Sequence, residues 1–155
     1  GKGGAQKTWP ARLEALATLR KLGYQVGTGV MIGIPGQSLE DLVRDIRTFE
    51  SLDADMLGMG PYLVSHGGDM VADGMMQKDA LLTLTRNMLS ATRLALPTVN
   101  MAAATALETL VTGGRTLGVL SGCNVIMPNV TPQRTRARWR AFLCQLTNFP
   151  SQAKM

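Results

Sequence analysis

Apolar residues along this chain alternate between two rhythms, short continuous runs and longer stretches with helical spacing. Val30, Met31, Ile32 and Ile34 make a run within Gly27 to Ile34, the pattern of a strand buried on both faces. Pro35-Gly36 then turns the chain. Ser38, with Asp41 three residues on, is close to a capping box, and Leu39, Leu42, Val43, Ile46 and Phe49 recur at helical intervals over about residues 39 to 52. Strand, turn and helix form the unit that the rest of the chain repeats.

Before this unit, residues 1–9 read as a flexible tail. Pro10 suits the first turn of a helix bearing Leu13, Leu16, Leu19 and Leu22, with Gly23 closing it. After it, Met56 to Gly60 predicts a second buried strand that stops at Pro61, and residues 63 to 77 are a glycine-rich loop. A long helix over Lys78 to Leu96 carries Leu81, Leu84, Thr85, Met88, Leu89, Thr92 and Ala95 on one side, and a third strand follows at about Thr98 to Ala102. Thr105 and Glu108 repeat the capping-box pattern at the head of a helix interrupted at Gly113-Gly114 and resumed toward Gly122. Asn124 to Met127 is the fourth strand, and Thr131-Pro132 opens a last helix over about residues 133 to 146, with 147–155 a C-terminal tail.

Four strand-helix units call for an α/β fold with a parallel sheet, either a doubly wound layer or part of a barrel. In both, ligands gather at the carboxyl ends of the strands, here Pro35 to Ser38, Gly60 to Leu63, Ala102 to Thr105 and Pro128 to Thr131. A closed barrel takes about 250 residues, so 155 residues with four units make about half of one.

Composition adds mostly exclusions. At 45% hydrophobic and 17% charged, the chain is globular in type, with no apolar run of the roughly 18 residues a membrane span needs and no secretory signal at Gly1 to Lys7. Two cysteines, Cys123 and Cys144, lack a CxxC spacing, which argues against a zinc site or a disulfide framework and fits a reducing cytoplasm. The net charge of +5 owes much to Arg134, Arg136, Arg138 and Arg140, but alternate arginines spread over two helix faces without interleaved aromatics, so no nucleic-acid partner is expected.

The catalytic motifs of common enzymes are missing too. Gly27, Gly29 and Gly33 lie within the strand instead of in the turn after it, unlike a dinucleotide fingerprint, and no P-loop, HExxH or GxSxG is present. His66, with Asp69 nearby, reads as a loop residue and not a metal ligand. Met56, Met59, Met88 and Met127 sit where apolar packing is expected, and Cys123 and Cys144 read as buried structural thiols. No catalytic residue and no metal ligand is assigned.

Several blocks taken together point to one family: Gly29-Val-Met-Ile-Gly-Ile-Pro-Gly-Gln37, Asp55-Met-Leu-Gly-Met-Gly-Pro61, Thr92-Arg-Leu-Ala-Leu-Pro97, Asn100, Ala103-Ala-Thr-Ala106 and Asn124-Val-Ile-Met-Pro-Asn-Val-Thr-Pro132. In this collinear order the chain resembles the radical S-adenosylmethionine maturases of FeFe-hydrogenase of the HydE type, near biotin synthase. The resemblance implies a (βα)8 TIM-type barrel of which residues 10–146 are the C-terminal half, about strands 5 to 8, including a biotin and thiamin synthesis associated region. It also implies S-adenosyl-L-methionine as cofactor, a 4Fe-4S cluster in the intact protein, hydrogen abstraction from a small-molecule substrate by a 5'-deoxyadenosyl radical, and other hydrogenase maturation proteins as partners. Alternatives of the same style are a biotin synthase-like or methylornithine synthase-like enzyme, or a non-catalytic barrel fragment.

By position, the resemblance places Gly29, Met31 and Gly33 against the adenosyl part of the cofactor and Arg12 at its methionine end. Pro61 matches the proline that ends the sixth strand. Thr105 matches the second threonine of a pair in the substrate cavity, and Met127 and Thr131 match the rim of the eighth strand. The sequence departs from the family in lacking the CxxxCxxC cluster motif, in Ala104 and Ala102 where threonine and proline are usual, and in the pattern after Pro132, which is that of a truncated or frame-altered C-terminus. With two cysteines in all, the chain alone is expected to be inactive.

Overall fold

In the computed structural model, residues 8–63, 75–127 and 132 are described. They form α1 (Trp9–Lys21), β1 (Gly27–Ile32), α2 (Leu39–Ser51), β2 (Met56–Pro61), α3 (Lys78–Ala95), β3 (Asn100–Ala103), α4 (Thr105–Leu110), α5 (Gly114–Leu120) and β4 (Val125–Ile126). Residues 1–7 of the expected N-terminal tail, the C-terminal tail, the last helix, His66, Asp69, Cys144, Thr131 and the four C-terminal arginines lie outside the described residues, whereas Thr8 and Trp9, expected in the tail, are the N-cap and first residue of α1.

All four strands pair in parallel, in the order β1-β2-β3-β4. Among the described residues the order never reverses and no switch point of the doubly wound kind appears, consistent with an arc of a (βα)8 barrel. Local chemistry explains the units. Ser38 Oγ accepts from the Asp41 amide at 3.1 Å while the Asp41 carboxylate accepts from the Ser38 amide at 3.0 Å, so the capping box at α2 is complete. Pro10 sits in the first turn of α1, behind Thr8 as N-cap, and Gly23 takes φ +82° just past its end.

The core lies between one face of the sheet and the helices. Ile32, Leu57, Met59 and Met101 meet Leu42 and Phe49 of α2, Met88 and Leu89 of α3, and Leu107 of α4. Two threonines of α3 are fully buried, and each returns its hydroxyl proton to its own helix: Thr85 to Leu81 C=O at 2.7 Å and Thr92 to Met88 C=O at 2.8 Å. Elsewhere the frame is held by arginines. Arg20 pairs with Asp55 at 2.8 Å and reaches the carbonyls of Leu52 and Asp53, and the same Asp55 oxygen accepts the Val26 amide at 2.6 Å. This ties α1, which buries none of its own residues, to the head of β2.

Several expectations are corrected. β1 is buried on one face and not on both: Ile32 is fully buried on the helix side, while Met31 is 51% exposed on the other. The continuous apolar run reflects a barrel strand whose inner side is open among the described residues. For the same reason Met56 and Met127, expected in the core, are 36% and 50% exposed, whereas Met59 and Met88 are buried. The second capping box does not form. Ala104 is the N-cap of α4 and Thr105 its first residue; the Glu108 carboxylate instead accepts the Gly113 and Arg115 amides at 3.1 and 3.0 Å, bridging the break before α5. β1 ends at Ile32 instead of Ile34, where Gly33 turns to φ +81°, β2 runs through Pro61 itself, β3 starts two residues later and ends one later than expected, at Asn100–Ala103, and β4 is one residue shorter at each end, Val125–Ile126.

Candidate functional site at the strand ends

The carboxyl ends of β1, β2 and β3 are built around a tight turn. Gln37 N donates to Ile34 C=O at 2.9 Å across Pro35-Gly36, with Gly36 at φ +81°, as in a type II turn. The Gln37 side chain then folds back on the strand, accepting the Gly33 amide at 2.8 Å and donating to Met31 C=O at 3.1 Å. This clamp holds the end of β1, and the Tyr62 amide donating to Ile32 C=O at 2.7 Å carries the ladder beyond Pro61.

The residues expected at the site fall into three groups. Met31 and Met127 are both exposed, and Met31 shares the inner sheet face with Gly29, Met31 lying opposite Gly60 and Gly29 opposite Gly58 in the β1–β2 register. Pro61 is buried, level with Ile32 in the register, and Thr105 is exposed at the start of α4. Arg12 is exposed in the first turn of α1, eight residues from the anchored Arg20 and so roughly 12 Å along the helix axis from it.

The glycines expected to admit a ligand are occupied by protein. A Cβ on Gly29 would collide with the Gly58 carbonyl, and one on Gly33 with the Leu81 side chain. Gly60 likewise makes room for Ala104, whose methyl would stand 2.7 Å from a Cβ there. Gly58 is different: it lies exposed on the inner face and a Cβ on it would meet nothing within 4 Å. Gln37 lies within the Pro35 to Ser38 segment expected at the strand ends but was given no role of its own there, and the open Gly58 was not expected at the site.

The donor set decides what the site can hold. Among the described residues no three His, Cys, Asp or Glu side chains gather as metal ligands. Cys123 is buried, its thiol pushed up to about 11 by desolvation against a smaller opposing pull from Arg93, so it is a neutral packing group and not a thiolate ligand. An iron-sulfur cluster does not fit these residues. The inner face carries no charge at β1 and β2, where its positions are Gly27, Gly29, Met31, Met56, Gly58 and Gly60, and its open ground is at Met31, Met56 and Gly58. No helix among the described residues is long and apolar enough to cross a membrane.

No protein-family model matches the chain. It is similar to the [FeFe] hydrogenase maturase subunit HydE of Thermotoga maritima, with 42% identity over 131 residues, which is 84% of this chain. The match covers 36% of that protein, so the chain spans little more than a third of its relative's length.

Proposed function

From a chain that is of the HydE type over the 131 residues it shares with that maturase, we propose that it supplies the cofactor- and substrate-facing strands of a radical S-adenosylmethionine enzyme of FeFe-hydrogenase maturation. The observation that carries this is the 42% identity over 84% of the chain, supported by a parallel sheet running in barrel order. S-adenosylmethionine bound there would supply radical hydrogen abstraction. The chain's own residues would position it.

On this reading Arg12 binds the carboxylate of the cofactor, and Met31, on the open face, packs against its adenosyl part. Gln37 keeps the end of β1 in place beneath that group. Gly29, Gly33 and Pro61 serve by shaping the strand ends, and Thr105, Met127 and Thr131 would be substrate contacts. The reducing cluster would be held by cysteines outside this chain. Other maturation proteins would be its partners, in the cytoplasm.

Completing the chain with the part of Thermotoga maritima HydE outside the match tests this. The completed protein should support maturation of FeFe-hydrogenase in cells lacking their own HydE. A folded, cluster-loaded protein that gives no active hydrogenase would overturn the proposal.

A further inference from the structure

Successive residues of a strand turn their backbone groups to opposite sides, and the bonds along β1 show which side is which. The Val26 carbonyl accepts the Asp55 and Met56 amides and the Ile32 carbonyl accepts the Tyr62 amide, so the even-numbered residues from Val26 to Ile32 face β2. The Met31 carbonyl therefore points the other way. So does the Gly33 amide, which lies trans to the Ile32 carbonyl across one peptide bond. These are the two groups that Gln37 takes: its Nε2 donates to Met31 C=O at 3.1 Å and its Oε1 accepts the Gly33 amide at 2.8 Å. On the side away from β2, the Gln37 amide gives β1 the donor and the acceptor that a parallel strand would give it.

In a (βα)8 barrel that side belongs to a neighbouring strand, held about 4.8 Å away by backbone bonds. Gly33 has one amide proton, and it is spent on Gln37; the Met31 carbonyl is bonded on the same side. The last ladder bond left to the neighbour is then the one at the Met31 amide. We propose that Gln37 is a positioning residue that parts β1 from the neighbouring barrel strand at Met31, and that S-adenosylmethionine brings its adenosyl group to Met31 through the cleft so made. This rests on the reading that the cofactor seats against Met31, and adds what holds the strand ends apart to admit it. The root of the wedge is fixed at both ends: Gln37 N donates to Ile34 C=O at 2.9 Å, and Ser38 beside it is locked in the capping box of α2. Only a side chain with one donor and one acceptor serves both backbone groups. A glutamate offers the Met31 carbonyl nothing but a repelling oxygen until it is protonated, when it matches the amide.

The test uses the chain completed with the remaining part of Thermotoga maritima HydE and calorimetric titration of S-adenosylmethionine. Gln37→Ala should weaken binding about tenfold, the scale of the two lost hydrogen bonds, at every pH. Gln37→Glu should be as weak at neutral pH and recover toward the parent near pH 5, because a carboxyl set against a carbonyl oxygen regains its proton above its usual range. A loss of affinity caused only by a loosened fold would not be regained on acidification. A crystal structure of the completed parent should show the backbone bonds from the neighbouring strand ending at the Met31 amide. Equal affinities for Gln37→Ala and the parent, a Gln37→Glu variant that stays weak near pH 5, or a ladder that runs on to Gly33 with Gln37 swung away would each overturn the proposal while leaving the cofactor reading in place. A folded parent that binds no S-adenosylmethionine would overturn that reading and this proposal with it.

Discussion

Gly29 and Gly58 face each other across the β1–β2 register, yet a side-chain carbon on Gly29 would run into the Gly58 carbonyl, whereas one on Gly58 would enter open space. The two glycines therefore answer to different demands. Gly29→Ala should lose about 1 to 3 kcal/mol by forcing the strands apart. Gly58→Ala should gain roughly 0.5 kcal/mol, because alanine loses less backbone freedom in a strand and nothing here opposes it. Urea unfolding of both variants checks this, and equal losses would contradict it.

Arg93 joins the end of α3 to the starts of β3 and β4. It donates to the carbonyls of Gly122, Pro97 and Val99 at 2.8 Å each and of Leu96 at 3.2 Å, and to Asn124 Oδ1 at 3.2 Å. Lysine cannot reproduce that planar fork, so Arg93→Lys should cost about 2 to 4 kcal/mol in chemical denaturation. A variant as stable as the parent would show that the carbonyls are equally well served by water.

Cys123 should be silent toward maleimide at neutral pH while the chain is folded, since it is buried and its thiol is raised to about 11. Labelling should follow unfolding by denaturant. Fast labelling in native buffer, mapped to Cys123 by mass spectrometry, would contradict the burial.

The Asp45 carboxyl is raised above its ordinary 3.8, first by burial, then by the Asp41 charge, with Arg44 opposing. A carboxyl raised in the folded state binds its proton more tightly there than in the unfolded chain, so its contribution to stability is lost as pH rises from about 3.8 through the folded pKa. Asp45→Asn should therefore be the more stable protein at pH 7 and lose its advantage near pH 3. Thermal unfolding at the two pH values measures the difference, and a constant offset would argue against the titration.

The helices were legible in the sequence because their signals are local. Ser38 and Asp41 cap α2 as their spacing predicts, and the break at Gly113-Gly114 falls between α4 and α5. The faces of the strands were not legible. The run Val30-Met-Ile32 reads the same whether the inner side of a barrel is filled or open, and only the sheet shows that Met31 and Met56 lie uncovered. The glycines misled in a related way: their need for space is visible along the chain, but Gly58 and Leu81, which take up that space, stand 29 and 48 residues from Gly29 and Gly33. Thr105 failed as a cap because Ala104 already holds the extended backbone of the N-cap position.

The most direct measurement is calorimetric titration of S-adenosylmethionine into the chain completed with the remaining part of Thermotoga maritima HydE. Arg12→Ala should weaken binding by about 1.5 to 3 kcal/mol, the scale of hydrogen bonds to a charged group, and Arg47→Ala, exposed on the outer surface of α2, should leave it unchanged. Equal affinities for the parent and both variants would show that Arg12 does not meet the cofactor and that the site lies elsewhere on the barrel.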